Sequence, residues 1–241
     1  MKSPLLEGPW VELESVDSTQ SYVARCLRGE SGLPVPGMVL AREQTAGRGR
    51  FDRAWWSPPG SSLSMSLVFG GYPDAPRPWL LGMAVAVAAA RVVHCRLKWP
   101  NDLIVNGRKI GGILTEMMRD AQGRAIPVVG VGINLTQTEF PPDLASTATS
   151  LLMEYGVAQR AGDLARRIVD ALSDLPEPDD WPSLAPVWNQ FDETKGRRYR
   201  LSSGESGIAI GIGPQGELLC EVEGVPRIVY AADDATTNVA V

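Results

Sequence analysis

A chain of 241 residues with 44% hydrophobic and 21% charged side chains can bury a substantial core and is too apolar to be disordered. A formal net charge of −5 excludes a general nucleic-acid binder, which needs an excess of cations to displace counterions. Three scattered cysteines (Cys26, Cys95, Cys220) and a single histidine, His94, exclude a zinc constellation, and the longest apolar run, Leu80 to Ala90, is too short to span a bilayer.

In chain order, the start Met1 to Glu7 lacks the apolar stretch of a signal peptide, so a cytoplasmic protein with reduced thiols is expected. Tyr22, Val23, Cys26 and Leu27 recur at helical spacing, with Asp17 or Ser18 as the cap. Gly37 to Glu43 reads as a strand leading into Gln44-Thr45-Ala46-Gly47-Arg48-Gly49-Arg50, a loop with two arginines at alternate positions. Ser61 to Phe69 alternates apolar residues with Ser62, Ser64 and Ser66, the pattern of a half-buried strand whose small polar face is available for a ligand or another layer. Pro78 to Val93 reads as a core helix.

Arg96 to Trp99 and Leu103 to Val105 are short strands around a Pro-Asn-Asp turn, and Asn106-Gly107 is a hairpin signal. Ile110 to Met118 and Ile126 to Ile133 are the next strands, followed by helices over Asp163 to Leu175 and Trp181 to Gln190. From about Gly196 the pattern changes to short strands with Gly turns, Ile208 to Ile212, Leu218 to Val222 and Arg227 to Ala231, which suggests a small β-barrel-like domain. No helix-turn-helix or repeat precedes residue 10, so no DNA-binding module is expected.

Glycine lets backbone approach a ligand closely, and arginine forks onto phosphate oxygens, so Gly47 to Arg50 suits closure over an anion. A solvated turn is the plainer reading of such a loop, but the following Trp55-Trp56-Ser57-Pro58 argues against an exposed, disordered segment. Lys98 sits at a strand end stiffened by Trp99 and Pro100, where its ammonium can bridge a carboxylate and a phosphate. Only four of the 23 basic residues are lysines, which makes a lysine inside a motif harder to dismiss as generic surface charge. Asn101 and Asp102 read as turn formers. Gly112, Gly130 and Gly132 lie in strands, where glycine marks either a bulge or a close backbone approach.

Together, Asp17-Ser18-Thr19-Gln20, the Gln44 to Arg50 loop, Trp55 with Ser57-Pro58, Lys98-Trp99-Pro100-Asn101-Asp102-Leu103, Gly112-Ile113-Leu114 with Glu116, and Gly130-Val131-Gly132-Ile133-Asn134-Leu135 resemble the biotin protein ligases. Gly207-Ile208-Ala209, Gly211-Ile212 and Gly216-Glu217-Leu218-Leu219 look like their small C-terminal domain. The resemblance covers the chain from about residue 10. It implies an α+β fold: a class II synthetase-like catalytic domain with a mixed β-sheet flanked by helices (1–194), plus a small SH3-like β-barrel domain (195–241).

The resemblance also implies a two-step reaction in which biotin and MgATP give biotinyl-5′-AMP, whose biotin passes to a lysine of the carrier domain of acetyl-CoA or a related carboxylase. Lys98 and Arg50 are then the catalytic residues. Ser18, Thr19, Gln20, Gln44, Arg48, Gly49, Arg50, Lys98 and Gly112 would bind biotin, and Arg48, Arg50, Trp55, Lys98, Gly132 and Asn134 the nucleotide. Mg²⁺ follows from the ATP chemistry, with no residue assigned to it. The implied ligase has no repressor role, and an exposed sheet edge would support a homodimer. Two positions depart from the family pattern: Asp52 replaces the loop's third glycine, and Gln20 stands where asparagine is more usual. Two other readings remain beside the ligase, a lipoate or octanoate transferase and a catalytically inert sensor of the adenylate. The polar Ser18-Thr19-Gln20 segment disfavours the first, and Lys98 with Arg50 the second.

Overall fold

The computed structural model describes residues 6–201, 203–230 and 232–234. Its larger sheet has seven strands: β1 (Trp10–Val16), β2 (Met38–Gln44), β3 (Ser62–Val68), β4 (Arg96–Lys98), β5 (Asp102–Val105), β6 (Arg108–Arg119) and β7 (Ala125–Asn134). They lie in the order β1-β2-β3-β7-β6-β5-β4. Only β1 and β2 run parallel, so the sheet is mixed. The helices are α1 (Thr19–Leu27), α2 (Pro78–Val93), α3 (Leu151–Tyr155), α4 (Ala161–Ser173) and α5 (Trp181–Trp188).

Helix α2 fills the core because twelve of its 16 residues are Ala, Val, Leu or Met and Arg91 is its one charged residue, so it has no polar face to turn to solvent. It packs on β6 and β7 and is covered by α4 and α5. Its start is set by Pro78 at the first turn and its end by His94, whose left-handed φ of 58° stops the helix. The His94 carbonyl accepts a 2.8 Å hydrogen bond from the Tyr155 hydroxyl. On the opposite face, α1 lies over β2, β3 and β6, closing a second apolar cluster around Val23, Val39, Val68 and Val128.

The α+β architecture expected from sequence is present, with some differences in detail. β3 is buried on both faces, because α4 covers its apolar side and α1 its serine side. The Ser66 hydroxyl donates to Thr19 Oγ1 at 2.8 Å, so the small polar face expected to take a ligand or another layer is covered by α1. Strand β1 and helix α3 are additional elements. The last two helices end earlier than periodicity predicts, at Ser173 and Trp188. Asn106 and Gly107 both take positive φ (49° and 77°), the hairpin geometry their sequence predicts.

The smaller sheet is antiparallel, in the order β11-β10-β9-β8-β12, built from β8 (Arg198–Leu201), β9 (Ser206–Ile212), β10 (Leu218–Val222), β11 (Val225–Val229) and β12 (Ala232–Asp234). Ala231, expected to close a strand, lies outside the described residues. The core of this sheet includes a side chain from the larger unit. Trp99 is 4% exposed and packs among Tyr199, Leu201, Leu218, Cys220 and Val222. Its indole N–H donates to Gly216 O at 2.9 Å, its backbone N–H to Thr194 Oγ1 at 2.9 Å, and its carbonyl accepts from the Tyr199 hydroxyl at 3.1 Å. The turn that follows Lys98 is thereby anchored in the second sheet.

Candidate active site

A cavity of about 910 Å³ opens between the β3-β7-β6-β5 part of the sheet, the start of α1, the loop after β2 and the edge of the small sheet. All twelve residues singled out from sequence line it: Ser18, Thr19, Gln20, Gln44, Arg48, Gly49, Arg50, Trp55, Lys98, Gly112, Gly132 and Asn134. They come from six separate chain segments. Backbone pairing brings them together, with Ser64 opposite Gly132 and Gly132 opposite Gly112, and then Asp102 pairs with both Gly112 and Lys98.

One end of the cavity is polar and rigid. Ser18 occupies the N-cap position of α1, but its hydroxyl makes no capping bond. The Gln44 amide does that work: its Oε1 accepts from the Thr19 backbone N–H at 2.8 Å and from Thr19 Oγ1 at 3.1 Å. Gln20 Nε2 donates to Leu114 O at 3.1 Å. Its amide lies against Gly130, where a methyl group would stand 3.0 Å from Gln20 Cδ. Asp17 instead forms a bidentate pair with Arg25 (2.7 and 2.9 Å). That guanidinium, the largest influence on it, holds its carboxyl below the usual range.

The loop after β2 folds back on itself through Trp55 N–H to Gly47 O (2.9 Å) and Gly49 N–H to Arg53 O (2.8 Å). Its tip, Arg50–Asp52, is a single 3₁₀ turn in which Phe51 takes a left-handed φ of 56°. The sequence places the loop's irregularity at Asp52, whose side chain lies outside the described residues. The structure places the left-handed residue at Phe51, which is 69% exposed beneath the Arg50 guanidinium at 4.9 Å. The Arg48 guanidinium forms a bidentate pair with Glu116 of β6 at 2.8 Å through both nitrogens.

Beyond the loop, the Trp55 ring packs against Gly132 of β7. A methyl at Gly132 would come within 2.7 Å of its ring, so glycine is what admits the indole. The Trp55 Nε1 is buried without a hydrogen-bond partner. Asn134 lies at the same side but is partly engaged: its Nδ2 donates to Thr149 O (2.9 Å), and its Oδ1 accepts from Gln137 Nε2 (3.2 Å).

The charged wall is richer than sequence indicates. Lys98 Nζ lies 3.3 Å from Asp102 Oδ2, and Lys109 Nζ 2.6 Å from Asp102 Oδ1. Burial alone would raise the Asp102 carboxyl, but the ammoniums of Lys109 and then Lys98 outweigh it and hold the group below the usual carboxylate range. Asp102 and Asn101 read from sequence as turn formers. Asn101 does clamp the turn, donating from Nδ2 to Ile113 O at 2.9 Å while its carbonyl accepts the Ile113 N–H. Sequence reasoning also passes over Phe140, Leu144 and Ser146 to Ala148, and over Arg197 and Tyr199 of the second unit, all of which line the cavity. Lysine scarcity is the one sequence signal that could have drawn attention to Lys109, which the sequence reading leaves without a role.

Among the described residues no group of three or more His, Cys, Asp or Glu is placed to hold a metal, and Asp102 is committed to two lysines.

Comparison with known proteins supplies the context. Residues 12–134 match the model of the Biotin/lipoate A/B protein ligase family. The biotin--[acetyl-CoA-carboxylase] ligase of Mycobacterium tuberculosis is 36% identical over 93% of this chain and 88% of its own length. Among solved structures, a biotin protein ligase from Aquifex aeolicus in complex with biotin and ATP superposes with a TM-score of 0.71 at 23% identity, covering 93% of this chain and 97% of that one. A Leishmania major biotin protein ligase in complex with biotinyl-5-AMP gives 0.59 at 28% identity, covering 93% and 100%.

Proposed function

The chain belongs to the Biotin/lipoate A/B protein ligase family, and from that premise we propose that its cavity activates biotin with ATP and passes the biotin to a carrier-domain lysine. The observation that carries this reading is the convergence of the twelve residues on one cavity. At about 910 Å³ it lies near the top of the roughly 300–1,000 Å³ range of small-molecule sites, as a two-part ligand such as biotinyl-5′-AMP requires.

In the first step an oxygen of the biotin carboxylate bonds to the α-phosphorus, and the bond from that phosphorus to the β-phosphate oxygen breaks, releasing pyrophosphate. In the second, the neutral ε-amine of the acceptor lysine attacks the acyl carbon, the acyl–oxygen bond to AMP breaks, and the amine loses its proton. The polar end suits the ureido ring of biotin: Ser18, Thr19, Gln20 and Gln44 are buried or half-buried donors and acceptors in fixed orientation. Gly49 and Gly112 leave room for the ligand's chain. Lys98 stabilises the charge that builds between carboxylate and α-phosphate, and Arg48 and Arg50 hold the adenylate under the loop. Trp55, Gly132 and Asn134 line the nucleotide side, where the orphaned Trp55 N–H would find an acceptor. Mg²⁺ bound with ATP would supply charge neutralisation on the phosphates, with no residue of this chain assigned to hold it.

The acceptor on this reading is the biotin carboxyl carrier domain of acetyl-CoA carboxylase or a related carboxylase, and nucleic acid is not a substrate. We place the boundary between the catalytic and SH3-like domains at residues 194 and 195. The β4 edge of the large sheet is covered by residues 191–193, through Leu97 N–H to Phe191 O and Glu193 N–H to Leu97 O. The opposite edge, β1, carries Trp10 at 44% exposure and is where a homodimer would add its strand. Among the described residues no helix is long and apolar enough to cross a membrane, in keeping with a cytoplasmic enzyme. Incubation with ATP, labelled biotin and a purified carrier domain should label that domain. Failure to do so, together with tight lipoate binding by calorimetry, would reassign the site to lipoyl chemistry.

A further inference from the structure

The densest charge on the cavity wall is the group formed by Lys98, Asp102 and Lys109, and only Lys98 has a part in the reaction set out above. The three residues stand on adjacent strands, β4, β5 and β6. Asp102 bridges the two ammoniums, one through each carboxylate oxygen, at 3.3 Å to Lys98 and 2.6 Å to Lys109. Both Lys109 and its backbone are fixed. Its N–H donates to Thr147 O at 2.7 Å and its carbonyl accepts the Thr149 N–H at 2.9 Å. Its side chain runs beside Gly112, where a methyl would stand 3.4 Å from Cε, and its ammonium lies 5.8 Å from the Trp55 ring centre.

Two ammoniums thus meet at one carboxylate on the cavity wall. The chain has only four lysines, and two of them meet here. We propose that Lys109 is a second substrate-contacting cation of the adenylation step, taking the phosphates of the nucleoside triphosphate, and that Asp102 is the positioning residue that sets Lys98 and Lys109 at a fixed spacing. The inference rests on the ligase reading above. As the α-phosphorus bonds to the carboxylate oxygen, negative charge moves onto the departing pyrophosphate. Lys98 meets the charge at the reacting carboxylate, and Lys109 meets the charge on the leaving side. Without the Asp102 carboxylate the two ammoniums would repel each other and swing apart.

The test uses the whole chain and three readouts: pyrophosphate release in a single turnover with biotin and ATP, biotin affinity by calorimetry without ATP, and the thermal midpoint. Lys109→Met should slow pyrophosphate release about 100-fold and raise the KM for ATP, with biotin affinity within about threefold of wild type. Lys109→Arg should restore part of the rate. Asp102→Asn should slow release alone, but cost clearly less on the Lys109→Met background than in the wild type, because only one of the two ammoniums it positions then remains. Lys109→Met with the wild-type rate and KM would overturn the second-cation role. Fully multiplied losses in the double variant would overturn the positioning role, whatever the thermal midpoints show. Wild-type pyrophosphate release is the control: its absence sinks the ligase reading itself, whereas its presence with an indifferent Lys109→Met sinks only this inference.

Discussion

Gly132 offers the sharpest perturbation of the proposed nucleotide side. It sits in β7 between Ser64 of β3 and Gly112 of β6, well inside the sheet. A β-carbon there would lie 2.7 Å from Cε2 and 2.8 Å from Cζ2 of Trp55. To regain ordinary contact the ring must withdraw by about 0.7 Å, the kind of displacement that overpacking forces at a cost of roughly 1–3 kcal/mol. Exchanging glycine for alanine in a strand returns about 0.5–1 kcal/mol. The net loss expected for Gly132→Ala is thus about 1–2 kcal/mol, by urea denaturation. The ring has little room to retreat, because the Trp55 backbone N–H is tied to Gly47 O and the Lys109 ammonium lies 5.8 Å from the ring centre. The displaced indole narrows the nucleotide side, so the KM for ATP should rise by about tenfold while biotin affinity stays within about threefold. The internal control is Trp55→Ala: with the ring gone, adding Gly132→Ala should cost nothing further. An unchanged ATP KM in Gly132→Ala, or an equal cost with and without the indole, would refute the assignment of Trp55 as the wall that Gly132 admits.

Three further outcomes are expected. Arg50→Gly should release biotinyl-5′-AMP faster and label lysines outside the carrier domain; an unchanged adenylate off-rate removes Arg50 from its proposed role. Trp99→Ala empties the core of the small sheet, with a loss of about 3–5 kcal/mol and an earlier separate melting of that sheet, both visible in urea unfolding followed by tryptophan fluorescence and circular dichroism. Glu154 is buried and accepts from Thr149, Asn106 and Arg108; burial raises its carboxyl, and these partners together outweigh it and leave it below its ordinary value. A depressed folded pKa means its contribution is complete above the unfolded value of about 4.3 and is lost as pH falls through the folded one. The stability gap between wild type and Glu154→Gln should therefore close on acidification below about pH 4, and a gap that stays constant down to pH 2 would disprove the linkage.

Much of the site was legible because its chemistry is local in sequence. Ser18 to Gln20, the Gly-Arg loop and Lys98 each stand in a short motif, whereas the strand glycines read as a bulge or an approach by a ligand, and Gly132 instead admits the Trp55 ring. What escaped depends on contacts across the sheet. Asp102 looks like any turn aspartate until β4 and β6 bring two lysines to it. The burial of Ser62, Ser64 and Ser66 requires knowing that α1 covers their face, because period-two alternation specifies only that two faces differ. Strand β1 was hidden for a similar reason: as an edge strand it packs on the second cluster through Val11 and Leu13 alone, with Glu12, Glu14 and Ser15 between and after them.

The second unit is part of the site's construction and does more than follow it in the chain. Lys98 ends β4, and the next residue is the central side chain of the small sheet's core. The backbone of Trp99 is held at its N–H by Thr194 and at its carbonyl by Tyr199, whose ring also lines the cavity. A lysine on a three-residue strand would ordinarily wander, because short strands at a sheet end fray. Here the following residue is pinned by a packed aromatic core and three hydrogen bonds, while its ammonium is held by Asp102. Lys98 is thus fixed from both ends of its reach, by the small sheet through the backbone and by β5 through the side chain. Loss of either support should displace the same ammonium, so the effects of Trp99→Ala and Asp102→Asn on pyrophosphate release are coupled although the two residues belong to different cores.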